Sequence, residues 1–184
     1  MNDAQRIRTS KFLSKHLRHA PDAIGIVLDP AGWTDIGALL VACAAHGVVL
    51  DRAELDEVVA TNPKQRFAID ATGRRIRANQ GHSVPVELGL PVLDPPAILY
   101  HGTAASTVAA ILREGLRPMS RHAVHLSPDV ATATVVGARH GRPVVLVVDA
   151  AGMVAAGHQF TRSDNGVWLV DAVPPEFLSL HRST

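Results

Sequence analysis

The sequence predicts an α+β protein built from two lobes. Three prolines fall within residues 91–96, and proline is excluded from helix interiors and central strands, so this segment separates a lobe of residues 1–93 from one of residues 94–184. Before the boundary, three stretches with helical periodicity precede a stretch that alternates with period two. After it, short apolar runs alternate with helical segments. No G-x-G-x-x-G follows the first of these runs, which argues against a Rossmann nucleotide site.

Two helices open the first lobe. The first covers about residues 3–19, with Leu13 and Leu17 one turn apart on its apolar side. The second begins after Thr34, which we predict to be its N-cap, and ends at Gly47, a residue type that favours helix C-termini.

A third helix and a hairpin complete this lobe. Asp51 is predicted to be the N-cap of the helix, with Glu54 three residues later in a capping-box arrangement. Residues 66–70 and 74–77 then alternate with period two around a turn that contains Gly73, which indicates a β-hairpin. Three helices followed by a hairpin are typical of a winged-helix lobe, a frequent nucleic-acid scaffold, although the fold alone does not determine function.

The second lobe alternates between strands and helices. One predicted helix passes through residues 108–112 and ends at Gly115. Another has Ser127 as its N-cap and Pro128 as its first residue, and extends to about His140. The predicted strands cover residues 98–100, 124–126, 143–148 and 167–170.

Composition restricts the class of protein. Of the 184 residues, 47% are hydrophobic and 19% are charged, which is sufficient for a buried core. The longest apolar runs, such as residues 144–148, are too short to cross a bilayer, and residues 1–10 contain no apolar signal segment. The single cysteine, Cys43, is interpreted as a buried apolar residue. We expect a cytoplasmic monomer without a membrane partner.

A basic stripe on the first helix is the first candidate binding feature. Its members are spaced by three, four and three residues, which aligns them along one helix face. They are Arg8, Lys11, Lys15 and Arg18. His19 follows Arg18 directly, and a guanidinium beside an imidazole offers a bidentate phosphate contact next to a group that exchanges protons near neutral pH. A solvated surface stripe is the alternative interpretation.

The segment of residues 75–83 is the second candidate. Alternation places Arg75 and Arg77 on one face of the hairpin and Ile76 on the other. The segment then continues through Gly81 among polar residues and contains no acidic side chain. An exposed edge strand with its turn would explain part of this pattern, but the density of hydrogen-bond donors favours an anion-binding surface.

Histidines mark the ends of two predicted strands in the second lobe. His101 follows the end of one predicted strand, His122 precedes the next, and His125 lies within it. A zinc site requires three or four protein ligands, and the His122-x-x-His125 spacing has no third ligand nearby, so a metal site is not expected.

These segments together resemble the NAD-dependent RNA 2′-phosphotransferase family. The string R-I-R-A-N-Q-G-H-S at residues 75–83 is the most specific part of the resemblance, which extends along almost the whole chain. The other similar segments are residues 12–19, 24–29, 32–33, 66–67, 100–103, 115–119, 124–127, 165–169 and 173–175. The resemblance implies a winged-helix lobe that holds RNA and an ADP-ribosyltransferase-like lobe that holds NAD⁺. It also implies removal of an internal RNA 2′-phosphate, such as one left at a tRNA splice junction.

The resemblance further implies which residues form the site. The catalytic group would be Arg18, His19, Arg77 and Arg121. The NAD-pocket signature of the family would fall on His101, His125 and Val167. We expect residues 100–103 and 125–127 to lie on neighbouring strands, which adds Tyr100, Gly102, Thr103, Leu126 and Ser127 to the candidate cofactor-binding residues. The candidate RNA-binding residues, taken from the basic stripe and from residues 75–83, are Lys11, Lys15, Arg75, Asn79, Gln80, His82 and Ser83. Better-known ADP-ribosyltransferases carry a glutamate where this chain has Val167.

The implied reaction has two steps. An oxygen of the RNA 2′-phosphate attacks C1″ of the nicotinamide ribose, nicotinamide leaves, and an RNA-2′-phospho-ADP-ribose intermediate forms. The ribose O2″ then attacks the phosphorus, which gives 2′-OH RNA and ADP-ribose 1″,2″-cyclic phosphate. Because the first nucleophile is already an anion, no carboxylate base is required, which agrees with an apolar Val167. The arginines would neutralise the phosphate charge, and His19 would assist departure of the RNA 2′-oxygen.

Two alternatives stay open. An ADP-ribosyltransferase that caps phosphorylated nucleic-acid termini would perform the first step only and release no cyclic phosphate. A catalytically inactive winged-helix RNA-binding module is the other alternative, and the complete set of candidate catalytic residues argues against it.

Overall fold

The computed structural model describes residues 1–182. Within these residues the chain divides into two compact units, Met1–Gly89 and a second that begins at Leu90. Each unit has its own cluster of buried apolar side chains. The division lies at Gly89, shortly before the proline-rich segment from which the sequence boundary was predicted.

The first unit combines three helices with one small antiparallel sheet. Its core contains Leu13, Leu17 and Ile76, all fully buried. The sheet order is β1-β3-β2, with Phe67 opposite Ala78 in the hairpin. The elements are α1 (Asp3–Arg18), β1 (Thr34–Asp35), α2 (Ile36–Ala45), α3 (Arg52–Ala60), β2 (Phe67–Ile69) and β3 (Arg75–Ala78). The predicted three helices and hairpin are therefore present.

The helix caps confirm one prediction and correct another. Asp51 caps α3, and the capping box with Glu54 is complete. Thr34, in contrast, is not the N-cap of α2: it is buried in β1, opposite Ile76. The cap is Asp35, whose carboxylate accepts the backbone N–H of Ala38 at 2.8 Å. The two-residue strand β1 is too short for alternation to predict.

The second unit contains two three-stranded antiparallel sheets and three short helices. The sheet orders are β4-β6-β9 and β5-β8-β7. The four predicted strands are present, while β7, β9 and α6 were not predicted. The elements are β4 (Ile98–Ala104), α4 (Val108–Glu114), β5 (Val124–Leu126), α5 (Val130–Gly137), β6 (Pro143–Asp149), α6 (Ala150–Ala155), β7 (Thr161–Arg162), β8 (Trp168–Val170) and β9 (Leu178–Leu180). Mixed helices and small antiparallel sheets confirm the α+β class.

The boundaries of α5 differ from the prediction. Asp129, not Ser127, is the N-cap, and its side chain accepts the N–H of Thr132 at 2.7 Å. Ser127 instead exchanges backbone hydrogen bonds with Tyr100. The helix ends at Gly137, three residues before the predicted end at His140.

Glycine permits an unusually close approach between α5 and β4. A Cβ atom on Gly102 would lie 1.7 Å from the carbonyl oxygen of Ala133, and one on Gly137 would lie 2.8 Å from the carbonyl oxygen of Thr103. Since real side chains never approach so closely, both positions require glycine for packing rather than for backbone conformation.

Two further expectations concern burial and membrane association. Cys43 is fully buried, as predicted, and burial raises the pKa of its thiol to about 11. Among the helices of residues 1–182, none has both the length and the apolar composition of a membrane span.

Candidate functional site

The C-terminal end of α1 brings Arg18 and His19 next to the loop of residues 79–84. Arg18 is the last residue of α1, and its carbonyl oxygen accepts the N–H of Ser83 at 2.9 Å. The exposed His19 is the C-cap, and its Nδ1 lies 2.9 Å from the hydroxyl oxygen of Ser83. The structure therefore joins two candidate catalytic residues to a predicted RNA-binding residue.

Gly81 allows the loop to pass close to Arg18. Its φ of +86° lies in the left-handed region, which L side chains rarely adopt. A Cβ atom at this position would lie 3.8 Å from Nη1 of Arg18. This distance is ordinary van der Waals contact, so the positive φ, rather than a lack of space, favours glycine at this position.

Arg77 projects from β3 over the ring of Trp33. The guanidinium carbon lies 4.6 Å from the ring centre, within the range of a cation–π contact. Thr34 opposes Ile76 in the antiparallel register, so Trp33 opposes Arg77 when the pairing is continued by one residue. Nη1 of Arg77 also donates to the carbonyl oxygen of Leu88 at 3.3 Å.

Arg75 shares this face of the hairpin, as the alternation predicted, but two carboxylates bind it. Its Nε donates to Asp70 at 3.0 Å, and its Nη1 donates to Asp29 at 3.3 Å. Burial of the Asp70 side chain raises its pKa, but the hydrogen bonds from Arg75, Thr72 and Arg74 outweigh this effect, so the net pKa lies below the ordinary value. The Arg75 charge is therefore largely compensated within the unit, and its contact with RNA remains a prediction.

Asp29 also shapes the loop that presents Trp33. One of its carboxylate oxygens accepts the N–H groups of Ala31 at 2.9 Å and Trp33 at 2.8 Å. Asp29 and Trp33 were missed as members of this cluster. No sequence pattern indicated them, because β1 has only two residues and the Asp29 carboxylate binds backbone N–H groups.

Lys11 and Lys15 lie on the exposed face of α1, together with Arg8. The fully buried Leu13 and Leu17 lie on the opposite side of the helix. The predicted exposed alignment is therefore confirmed for Arg8, Lys11 and Lys15, whereas Arg18 at the end of the helix is half-buried. Contact of the stripe with RNA stays a prediction.

The loop of residues 79–84 contains both interior and surface residues. Asn79 is only 4% exposed, and its Nδ2 donates to the carbonyl oxygen of Gln65 at 2.6 Å. His82 is 3% exposed, and its Nε2 would lie 3.4 Å from a Cβ atom on Gly32. Asn79 and His82 thus support the loop from inside, while Gln80 and Ser83 keep exposed surface.

In the second unit, His101 and His125 meet through a hydrogen bond. Nδ1 of His101 lies 3.1 Å from the carbonyl oxygen of His125. Because a carbonyl can only accept, Nδ1 carries the hydrogen, and Nε2 of the neutral ring is an acceptor. Burial lowers the pKa of His101, the hydrogen bond to His125 opposes this, and the positive charge of Arg121 lowers the pKa further. The net pKa of His101 therefore lies below the ordinary value, which favours the neutral ring at pH 7.

Backbone pairing places the remaining candidate cofactor residues nearby. Tyr100 and Ser127 exchange two backbone hydrogen bonds, of 2.9 and 2.8 Å, which confirms that the two histidine-bearing strands are neighbours. Leu126 opposes Trp168 in the pairing of β5 with β8, so Val167 lies beside Ser127 when the register is continued. The half-buried Val167 donates its N–H to the Ser163 hydroxyl at 3.2 Å.

Three of these candidate cofactor residues already take part in packing or hydrogen bonds within the second unit. Gly102 makes room for α5, Leu126 is 1% exposed, and the Thr103 hydroxyl lies 2.7 Å from that of Thr107. Any contact that these residues make with a cofactor would therefore come mainly from their backbone.

Arg121 is exposed on the loop that precedes β5. Its backbone N–H donates to the carbonyl oxygen of Pro118 at 3.0 Å, and its charge acts on His101. The structure therefore groups Arg121 with His101, whereas Arg18, His19 and Arg77 belong to the first unit. Within residues 1–182, no cluster of three or more His, Cys, Asp or Glu side chains is arranged to hold a metal ion.

Comparison with known proteins identifies close relatives. Three of them carry the description "Probable RNA 2′-phosphotransferase". The protein of Streptomyces griseus subsp. griseus is 58% identical over 187 residues, which cover 98% of this chain and 99% of the relative. That of Herpetosiphon aurantiacus is 57% identical over 182 residues, with 99% and 100% coverage. That of Streptomyces coelicolor is 59% identical over 178 residues, with 97% of each chain covered.

A family profile agrees with these relatives. The profile matches residues 4–172 and therefore includes every candidate catalytic residue in both units. With this match and more than half of all positions identical to relatives of the same length, the chain belongs to the RNA 2′-phosphotransferase, Tpt1 / KptA family.

Proposed function

We propose that this protein removes an internal 2′-phosphate from RNA by transferring it to NAD⁺. The observation that carries the proposal is the identity of 57–59% with relatives described as RNA 2′-phosphotransferases, over nearly their whole length. The products would be 2′-OH RNA, nicotinamide and ADP-ribose 1″,2″-cyclic phosphate.

The first unit would act as a winged-helix RNA-binding lobe. The face formed by Arg8, Lys11 and Lys15 is exposed, and none of the three is ion-paired within residues 1–182. Unpaired cations along one helix face attract a phosphodiester backbone. Arg18, His19 and Ser83 lie at the end of this face, where they would contact the 2′-phosphate.

The second unit would act as an ADP-ribosyltransferase-like lobe that binds NAD⁺. The donor set fits this group, because the neutral His101 ring offers Nε2 as an acceptor for a ribose hydroxyl. The paired backbones of Tyr100 and Ser127 support the strand segments that carry His101 and His125, and Val167 lies beside Ser127 when the register is continued. NAD⁺ supplies the ribose carbon that the phosphate attacks and the hydroxyl that later displaces the RNA.

The residues of the chain would orient the phosphate and compensate its charge. Arg18 and Arg77 provide planar guanidinium groups suited to bidentate phosphate contacts, and Arg121 lies beside His101. The exposed imidazole of His19 would donate the proton that the departing RNA 2′-oxygen requires. No base is needed to form the nucleophile, so the aliphatic Val167 avoids repelling it.

The test uses a short RNA with one internal 2′-phosphate, incubated with and without NAD⁺. We expect NAD⁺-dependent conversion to 2′-OH RNA, with the cyclic phosphate detected by mass spectrometry. Arg18→Ala should abolish conversion. Arg52→Ala is a matched control, because Arg52 is an exposed arginine of the same unit that pairs with Asp56. RNA that stays unchanged with NAD⁺ present would refute the proposal. ADP-ribosylated terminal phosphates without cyclic phosphate would instead favour the capping activity.

A further inference from the structure

We propose that Trp33 is a positioning residue for Arg77. The inference rests on the proposed function, because Arg77 is assigned there to the RNA 2′-phosphate. It adds to the reaction a residue that does not touch the phosphate, but determines where the guanidinium lies before RNA binds.

The strand register accounts for the contact. Trp33 continues β1 by one residue and lies opposite Arg77 on β3, on the face where cross-strand neighbours interact. The opposite face is closed by the buried pair Thr34 and Ile76. The indole and the guanidinium therefore share one surface of the sheet, with 4.6 Å between the guanidinium carbon and the ring centre.

Independent contacts fix the backbone that carries the indole. The Asp29 carboxylate accepts the backbone N–H of Trp33, and the backbone N–H of Asp29 donates to the Trp33 carbonyl oxygen at 2.8 Å. The other oxygen of the same carboxylate binds Arg75, whose guanidinium carbon lies 5.5 Å from the ring centre. Asp70 holds Arg75 from its other side.

This network separates the roles of two neighbouring arginines. Arg75 is bound by two carboxylates and serves as part of the support for Trp33. Arg77 lies on the ring, and its Nη1 is directed to the Leu88 carbonyl oxygen. A long side chain ordered before binding loses less conformational entropy when it contacts a phosphate. Removal of the ring should therefore weaken recognition of the 2′-phosphate and leave other RNA contacts unchanged.

The experiment measures the dissociation constants of a 2′-phosphorylated RNA and its 2′-OH counterpart by fluorescence anisotropy without NAD⁺. In Trp33→Leu, the preference for the 2′-phosphate should fall about 3- to 30-fold, the range that a cation–π contact provides. Trp33→Phe, which keeps an aromatic face, should restore most of it. In the Arg77→Ala background, Trp33→Leu should cause no further loss, because Trp33 acts through Arg77.

Arg162→Ala is the matched control. It removes the cation–π contact of Arg162 with Trp168 in the second unit, where the guanidinium carbon lies 5.8 Å from the ring centre. This variant should keep the full preference. The inference would be overturned if Trp33→Leu left the preference for the 2′-phosphate unchanged. It would also be overturned if Trp33→Leu reduced this preference by the same factor in the wild type and in Arg77→Ala.

A second readout does not depend on RNA. Protons of the Arg77 side chain above the indole should show upfield ring-current shifts in NMR spectra, reduced in Trp33→Phe and absent in Trp33→Leu. If the wild-type protein shows no preference for the 2′-phosphate, the proposed function fails while these shifts still decide whether Trp33 orders Arg77. If the preference is present and the shifts are absent, only the positioning role fails.

Discussion

His19 and His101 lie in different surroundings, and this separates their expected behaviour. His19 is exposed at the end of α1 beside the Ser83 hydroxyl, whereas the His101 ring is half-buried and bonded to a carbonyl. Solvent access suits a group that exchanges protons during a reaction, and a fixed neutral ring suits a group that accepts a hydrogen bond.

His19→Ala should slow release of 2′-OH RNA about 10²- to 10⁴-fold, the usual contribution of a general acid. Nicotinamide release should slow less, because that step needs no proton donor. ADP-ribosylated RNA should therefore accumulate in a single turnover followed by rapid quench and gel electrophoresis. Equal slowing of both releases without accumulation would make His19 a positioning residue.

The stability of the protein should depend on the titration of His101. The ordinary pKa of histidine is about 6.5, and burial together with the charge of Arg121 lowers that of His101 in the folded state. Between the folded and ordinary values the unfolded chain binds more protons, so the free energy of unfolding falls as the pH drops below about 6.5.

The comparison is urea unfolding of wild type and His101→Gln at pH 7.5, 6.5 and 5.5. The variant should lose less stability on acidification, because glutamine does not titrate. Parallel pH dependences would show that His101 has the same pKa in the folded and unfolded states.

At the scale of helices and strands, the close contact between α5 and β4 leads to a prediction about stability. Gly102→Ala should lower the free energy of unfolding by about 3 kcal/mol, because its Cβ would overlap the Ala133 carbonyl oxygen and force the helix away. Gly157→Ala is the control: it has open space but a φ of +93°, so it should cost only about 1 kcal/mol. Similar losses in both variants, measured by urea denaturation, would contradict the packing argument.

The elements also show what local sequence can and cannot predict. The Asp51 and Glu54 capping box was predictable because both partners lie within one turn. The caps at Thr34 and Ser127 were predicted wrongly for a common reason: each residue pairs with a distant strand segment, and the next aspartate with a free carboxylate caps the helix. Such pairing depends on residues far away in the sequence.

For the molecule as a whole, RNA affinity should depend mainly on salt. The aromatic residues of the first unit offer little base stacking, because Phe67 is buried, Phe12 packs on His16 and Trp33 is covered by arginines. The logarithm of the binding constant should therefore fall steeply with the logarithm of salt concentration and vary little with base identity.

Lys15→Ala should make the slope of the logarithm of the binding constant against the logarithm of salt concentration less steep by about 0.7. This is the value for one phosphate contact on single-stranded RNA. Arg52→Ala, whose guanidinium pairs with Asp56, should leave the slope unchanged. A wild-type slope near zero would contradict backbone recognition.

Part of the arrangement of the candidate residues was accessible from the sequence. The contact of Ser83 with Arg18 and His19 was not predicted, but the position of Arg18 and His19 at the end of α1 and the neighbouring strands of Tyr100 and Ser127 were. The Trp33 platform was not, because it depends on a strand of two residues. The burial of Asn79 was also missed, since a polar residue in a donor-rich loop gives no sign that its partner is a backbone carbonyl.

The close contact between Gly102 and the backbone of Ala133 also limits which substitutions this sequence can accept. Where side chains meet, a larger residue on one side can be matched by a smaller one opposite, so substitutions accumulate in pairs. Here the opposing atom is a carbonyl oxygen, which every amino acid carries, and no exchange at position 133 can make room. No substitution at another position can therefore compensate for a side chain at position 102. Any residue larger than glycine would fit there only if the whole helix α5 moved away from β4.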